Sequence, residues 1–116
     1  IKFTGTWAEG TTGNSLTNTI EVSYNDQTLT GKQYASIANV LTWLAIKDSS
    51  STATGVTSLG TPTLTPESET STRFTIDIQY EGSINIGEIL KFALTITVNN
   101  IKLAQSTTQS YTKVSN

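Results

Sequence analysis

The 116-residue chain contains no cysteine, no histidine and no methionine. Because there is no cysteine, no disulfide framework can hold the fold, and stability must come from an apolar core and from backbone hydrogen bonds. Because histidine is missing too, a Ser-His-Asp triad, a Cys-His pair and a zinc site built from these ligands are excluded. We therefore expect a protein that is not an enzyme.

Charge is also scarce, since charged residues make up 14% of the chain and the formal net charge is -2. The seven Lys and Arg residues are spread singly along the sequence, so they form no basic patch of the kind that neutralises phosphates. A nucleic-acid partner is therefore not expected. Low charge combined with many hydroxyl and amide side chains is typical of an extracellular protein.

The sequence begins at Ile1 rather than at a methionine. We expect a signal peptide or an N-terminal membrane anchor upstream, and an arbitrary boundary of the sequence is the plain alternative. Within the chain no apolar run approaches the ~20 residues needed to span a bilayer. A membrane contact is therefore expected only through such an upstream segment, and the residues in hand are expected to be soluble.

Serine and threonine together make up about a third of the chain, whereas strong helix formers are few. The β-branched threonine suits a pleated surface that is wet on one side, so this composition favours strands over helices. At 116 residues the chain is long enough for one core and too short for two. We expect a single all-β domain without an internal boundary.

Two segments alternate apolar and polar residues most clearly, residues 74–80 and residues 90–98. In both of them the even-numbered residues are apolar, and we expect these to face the core. Asn25-Asp26 follows a predicted strand that has Ile20, Val22 and Tyr24 on one face, and Asn99-Asn100 follows residues 90–98. Both residue pairs tolerate the left-handed backbone of a tight turn. We expect a hairpin at Asn99-Asn100.

The segment from Lys32 to Asp48 fits both a helical and a strand period. We divide it into a short helical or irregular turn over residues 34–38 and a strand over residues 39–47, where β-branched and aromatic side chains dominate. Large apolar side chains occur on both faces of this strand, so we expect it to be covered on both sides. The faces carry Val40, Thr42, Leu44 and Ile46 on one side, and Leu41, Trp43 and Ala45 on the other.

We interpret residues 56–71 as an extended segment that is an edge strand or a meandering connection, because Pro62 and Pro66 each remove a ladder donor. About seven strands with short turns and no βαβ pattern indicate an all-β fold, an immunoglobulin-like antiparallel β-sandwich. The cysteine pair of antibody domains is missing, so an antibody-type domain is excluded. A small barrel with the same number of strands is the alternative.

The carboxylates offer little for a metal ion or a reaction. Glu67 and Glu69 form the only tight pair, and no loop has the spacing of calcium ligands. Solvated loop charge is the simpler interpretation, and we expect no metal, no cofactor and no catalytic residue.

Trp7 and Trp43 could each stack on a sugar ring, but a role in the core is the better interpretation, above all for Trp43 in its apolar run.

Ile84 and Ile86 alternate with polar residues between two predicted strands, where a loop is normally polar. They belong either to a short extra edge strand or the core, or to an apolar patch offered to a partner. Val56 and Leu59, together with Leu64, raise the same alternatives, because an edge with few charges can pair with another chain. We predict partner binding at Ile84, Ile86, Val56 and Leu59.

A cysteine-free sandwich rich in Ser, Thr and Asn, with a strand such as LKFALTITVNN at residues 90–100, resembles the soluble domains of crenarchaeal cell-surface appendage proteins, in particular the archaellum accessory proteins FlaF and FlaG. The resemblance concerns the strand pattern of the whole chain and carries no site residues with it. It implies an N-terminal membrane helix before Ile1, a pseudoperiplasmic location, and a role in anchoring the motor by binding surface-layer protein. Asn-x-Ser/Thr glycosylation sequons are absent, unlike in many secreted crenarchaeal proteins.

We therefore expect a non-enzymatic structural or anchoring domain outside the cytoplasmic membrane. Its expected partner is a surface-layer protein, another appendage protein or a second copy of itself, bound through apolar edge segments. A carbohydrate-binding module that uses Trp7 or Trp43 is a second hypothesis. A pilus or virion structural subunit is the third, and it would differ mainly in forming long polymers on its own.

Overall fold

Two antiparallel sheets and a small hairpin, together twelve strand segments, make up half of the computed structural model, which describes residues 1–115. One α-helix and one 3₁₀ turn lie between the fifth and sixth strands. The predicted all-β sandwich is confirmed. The segments are β1 (Lys2–Phe3), β2 (Ala8–Glu9), β3 (Ser15–Glu21), β4 (Ser23–Tyr24), β5 (Gln27–Thr28), α1 (Gly31–Ile37), the 3₁₀ turn (Ala38–Val40), β6 (Leu41–Lys47), β7 (Val56–Leu59), β8 (Thr63–Pro66), β9 (Phe74–Gly82), β10 (Ile89–Val98), β11 (Ile101–Gln105) and β12 (Gln109–Thr112).

The first sheet is centred on β3 and β9, which pair antiparallel so that Leu16 lies opposite Ile78. Each of its outer positions is filled by two short strands instead of one long strand. β1 and β2 both pair with β3, and β7 and β8 both pair with the far side of β9. Residues 56–66 of the predicted extended segment thus form an edge, and Pro62 lies at the break between β7 and β8, where no ladder donor is needed. The remaining residues of that segment, 67–71, belong to the loop before β9.

The second sheet is centred on β10. β6 pairs along one side of β10 over seven residues in unbroken register. β11 and β12 both pair with the other side of β10. Phe92, for example, has Lys47 of β6 as its neighbour on one side and Gln109 of β12 on the other. A bulge in the pairing of β11 and a break at residues 106–108 interrupt that outer position.

The sandwich strands fill seven positions, four in the first sheet and three in the second, which agrees with the predicted number. The first sheet has the order (β1/β2), β3, β9, (β7/β8), and the second has the order β6, β10, (β11/β12).

Alternate residues of the central strands fill the space between the sheets. The even-numbered side chains of residues 74–80 and 90–96 are buried, as the alternation predicts, and Val98 at the end of β10 is half-buried. Residues of β3 complete the layer from the first sheet. The largest fully enclosed side chains are Phe74, Phe92, Leu16, Ile20, Ile76, Ile78, Leu90, Leu94, Ile96, Val22 and Val56.

Both asparagine turns form where the sequence predicts them. Asn25 and Asp26 have φ angles of 53° and 60°, and Asn99 and Asn100 have φ angles of 49° and 68°. Two successive positive φ angles are the mark of a type I′ turn, whose twist matches that of the strands it joins. The two turns connect β4 to β5 and β10 to β11.

The segment from Lys32 to Asp48 divides into a helical part and a strand, as predicted. α1 begins with a capping box, in which the Gln33 N–H donates to the Thr30 hydroxyl and the Thr30 N–H donates to the Gln33 side chain. The 3₁₀ turn then leads into β6. Within residues 1–115 no helix is both long and apolar enough to cross a membrane.

The prediction that the strand at residues 39–47 is covered on both faces is wrong. Trp43 and Ala45 are buried, but Leu44 is 50% exposed and Ile46 is 53% exposed on the opposite face. The reason is the two-layer architecture, in which only the inner face of each sheet meets the other sheet. β6 therefore presents apolar side chains to solvent.

Leu94 and Leu44 provide a matched pair of substitutions. Leu94 of β10 is fully enclosed, whereas Leu44 lies half-exposed on the neighbouring strand. Leu94→Ala should lower the free energy of unfolding by about 2–5 kcal/mol because it opens a cavity, and Leu44→Ala should lower it by less than about 1 kcal/mol. Urea unfolding measures both values, and equal losses would contradict the open position of Leu44.

Candidate functional site

The four residues predicted to contact a partner do not share one surface. Val56 and Ile84 are buried in the core, with Ile84 only 5% exposed, and Leu59 is half-buried against it. For Val56 and Ile84 the core alternative therefore holds. Val56 begins β7 and Ile84 follows β9, and both side chains belong to the hydrophobic core. Of the four, Ile86 presents its side chain to solvent, at 55% exposure.

A glycine turn explains the exposure of Ile86. Residues 85–88 form a turn that is closed by a hydrogen bond of 3.0 Å from the Glu88 N–H to the Asn85 carbonyl. Gly87 has a φ angle of 89°, at the position where a type II turn favours glycine. Ile86 lies at the tip of this turn, whereas Ile84 precedes it and enters the core.

Trp43 is a core residue, as predicted. Its indole N–H donates a hydrogen bond of 2.9 Å to the Tyr34 hydroxyl, and the side chain is 6% exposed. Burial raises the pKa of Tyr34 above its ordinary value, and the hydrogen bond with Trp43 offsets part of that change. Because it is enclosed, Trp43 cannot serve as a stacking platform for a sugar ring.

Trp7 lines a surface groove where β2 approaches β12, and we call this surface the Trp7 groove. The Trp7 ring packs edge-on against Phe92, with ring centroids 4.9 Å apart, and its indole N–H donates to the Gln109 side chain at 3.0 Å. The groove has a volume of about 400 Å³. Its lining combines aromatic, hydroxyl and carboxylate side chains, among them Trp7, Tyr111, Thr6, Ser110, Thr112 and Glu9.

Glu9 is held in the Trp7 groove by two neighbours. Lys113 forms an ion pair with it at 3.1 Å, and the Tyr80 hydroxyl donates to the same carboxylate at 3.4 Å. Burial raises the pKa of Tyr80 and of Tyr111, and the negative charge of Glu9 raises both further. A fixed carboxylate beside aromatic rings can accept hydrogen bonds from the hydroxyl groups of a ligand.

β6 leaves one side of the second sheet without a paired strand in the part of the chain that the structure describes. The Asp48 N–H donates to the Lys91 carbonyl at 2.8 Å, and in an antiparallel ladder every second residue bonds to the same neighbour. Counting back from Asp48, residues 42, 44 and 46 bond to β10. The backbone groups of residues 41, 43, 45 and 47 therefore point away from β10, and we call this row the open edge.

The other three outer positions of the sandwich are interrupted. β1 and β2 are separated by residues 4–7, β7 and β8 by residues 60–62, which include a proline, and β11 and β12 by residues 106–108. Natural sheets blunt exposed edges with short strands, bulges, proline and charge. β6 has none of these before its last residue, Lys47.

Two large apolar side chains lie exposed beside the open edge. Leu44 is opposite Thr95 of β10, and Ile46 is opposite Ala93. These small neighbours leave both side chains uncovered on the outer face. An unbroken strand that carries no charge before its last residue is one to which another strand can add.

The paired carboxylates Glu67 and Glu69 lie exposed in the loop between β8 and β9. The carbonyl of Glu69 accepts a hydrogen bond of 3.0 Å from the Lys32 N–H, so the loop backbone holds the start of α1. Within residues 1–115 no group of three or more Asp and Glu side chains is placed to hold a metal ion.

The sequence did not point to the open edge or to Tyr111. A strand with apolar residues on both faces also fits an edge that another chain covers, and this was the signal available for Leu44 and Ile46. Tyr111 lies in β12, whose sequence QSYT has too little apolar alternation to predict a strand.

The open edge and the Trp7 groove lie on opposite sides of the sandwich. The Lys47 amino group donates to the Val56 carbonyl at 3.0 Å and joins β6 to β7, whereas Lys113 joins the end of β12 to Glu9 of β2.

No family model matches this chain, and no curated protein or solved structure matches it either.

Proposed function

We propose that this chain is a non-enzymatic extracellular domain that anchors a cell-surface appendage by binding surface-layer protein or another copy of itself. The observation that carries the proposal is the open edge, with its unpaired backbone groups and its two exposed apolar side chains. Strand addition at such an edge gives affinity through main-chain hydrogen bonds, and alternate side chains select the partner. The resemblance of the chain's strand pattern to that of archaellum accessory domains supports surface-layer protein as the partner.

The contact is assigned to Leu44 and Ile46 instead of the segments that the sequence indicated. Val56 and Ile84 are enclosed and cannot reach a partner without unfolding. Ile86 is exposed on its own turn, where Gly87 bonds to the residue after β12, so it offers an independent position for comparison.

Co-sedimentation with isolated surface-layer sheets tests the proposal. Leu44→Glu adds a charge beside the open edge without touching the core, so the pelleted fraction should fall by about tenfold or more. Ile101→Glu adds the same charge to an exposed isoleucine on β11 and should pellet like the parent chain.

Thermal unfolding of each variant serves as the folding control. Ile86→Lys is added because its side chain is exposed at the position that the sequence indicated. Loss of pelleting with Ile86→Lys but not with Leu44→Glu would move the contact to the turn at residues 85–88. A parent chain that does not pellet would contradict surface-layer protein as the partner.

A second candidate function, carbohydrate binding, is favoured by the Trp7 groove. Aromatic, hydroxyl and carboxylate groups converge there on a volume of about 400 Å³. Such a combination suits a ligand that offers both an apolar ring face and many hydroxyl groups. Trp7 is half-buried and reachable from solvent, unlike Trp43.

Tryptophan fluorescence tests carbohydrate binding with two matched variants. A cell-surface polysaccharide should shift the emission of Trp43→Phe, whose remaining tryptophan lines the groove, to shorter wavelength, because the sugar ring replaces water around it. The same titration should leave Trp7→Phe unchanged. Equal responses from both variants, or no response from either, would contradict binding at the Trp7 groove.

A further inference from the structure

We propose that the open edge pairs with the open edge of a second copy of this chain, antiparallel, around a two-fold axis at Leu44. The inference rests on the proposed function, because it names the occupant of the same edge. Two-fold association is the commonest arrangement of identical chains, and it requires a surface that is complementary to itself. β6 meets this requirement in its register, its backbone groups, its side chains and its charge.

The register follows from the length of the strand. Leu44 is the central residue of Leu41–Lys47, so an axis at Leu44 sets every residue of β6 opposite a residue of the second β6. Moving the axis by one residue would leave two residues at one end of each strand without a partner. Full overlap therefore places Leu44 opposite its own copy and Thr42 opposite Ile46.

In this register the outward-pointing backbone N–H and C=O groups of the two strands face each other. Residues 41, 43, 45 and 47 point to the open edge, and the axis at Leu44 sets 43 opposite 45 and 41 opposite 47. The Leu41 N–H is bound to the Ala38 carbonyl, which leaves the N–H groups of 43, 45 and 47 as donors in each copy. Pairing would add about six hydrogen bonds between the two chains.

The side chains are complementary on both faces. On the outer face, Ile46 lies opposite Thr42 and diagonal to Leu44 of the other strand, so the exposed leucines and isoleucines of both copies form one cluster. On the inner face, Trp43 of each copy lies opposite Ala45 of the other copy, so each large side chain is beside a small one. Cross-strand pairs of this kind stabilise an antiparallel ladder.

The charge of the strand also favours a second copy in this arrangement. Lys47 is the one charged residue of β6, and antiparallel pairing places the two lysines at opposite ends of the ladder, roughly 20 Å apart. Each amino group is directed to the Val56 carbonyl of its own chain. A parallel arrangement would bring the two lysines together, and like charges that face each other destabilise a strand pair.

The interface consists of one strand from each copy, so it belongs to the small and weak class. We expect a monomer in dilute solution and a dimer whose population rises with protein concentration. In the dimer, β6 would become an inner strand of one continuous sheet that runs through both second sheets.

Single cysteines test the register, and the chain has no native cysteine to interfere. Leu44→Cys places two thiols at the axis, with a Cα separation of about 4.5 Å, which a disulfide can span. Ile46→Cys is the matched control, because the two copies of residue 46 lie about 14 Å apart in this register. Under mild oxidation Leu44→Cys should form a covalent dimer at least about tenfold faster than Ile46→Cys.

A mixture of Thr42→Cys and Ile46→Cys should also cross-link, since these residues face each other across the axis. Ile101→Cys, on β11, reports the rate of random collision. A rate for Leu44→Cys that equals the rate for Ile101→Cys would overturn the pairing.

Oppositely charged variants test self-pairing without a covalent bond. Leu44→Glu and Leu44→Lys each place like charges at the axis, so sedimentation velocity should find each variant monomeric where the parent chain dimerises. An equimolar mixture should regain the dimer, because Glu and Lys then face each other. A mixture that stays monomeric would overturn the axis at Leu44.

The two sets of experiments separate this inference from the proposed function. If Leu44→Cys cross-links no faster than its controls while Leu44→Glu prevents pelleting with surface-layer sheets, the edge binds a different chain, and self-pairing falls alone. If Leu44→Cys cross-links rapidly while Leu44→Glu still pellets, self-pairing stands and the surface-layer contact at this edge falls. If neither variant differs from its control, both fall.

Discussion

The unpaired backbone N–H and C=O groups along the outer strands of the two sheets determine where another chain can bind to this molecule. A sandwich of two open sheets has four outer positions, and each one presents N–H and C=O groups that can recruit another strand. In residues 1–115 the chain interrupts the strand at three of these positions with an irregular segment, a proline or a bulge. β6 is continuous and uncharged up to Lys47, so strand addition is least opposed there.

The position of β6 is fixed from inside the sandwich at both of its ends. Tyr34 of α1 packs against Phe74 of the first sheet, with ring centroids 5.0 Å apart, and accepts the hydrogen bond from Trp43. At the other end, Lys47 bonds to the Val56 carbonyl of β7. An edge held in this way loses little conformational entropy when a partner binds, which favours association.

Local patterns in the sequence were sufficient for the central strands and the turns. The alternation of β9 and β10 predicted their core faces because one face of each strand must be apolar, and the asparagine pairs predicted two turns because few residues tolerate successive positive φ angles. Local patterns could not tell Ile84 from Ile86, since the difference depends on the turn at residues 85–88. The same limit applied to Glu9 and Lys113, whose pairing depends on how β2 approaches β12 across the sandwich.

Amide hydrogen exchange along β6 tests the central claim most directly. At low protein concentration the N–H groups of residues 42, 44 and 46 should exchange slowly, because they bond to β10, while those of residues 43, 45 and 47 should exchange quickly. As the concentration rises, the second group should become protected and the first should not change. Protection of residues 43, 45 and 47 that is already complete in dilute solution would contradict an open edge.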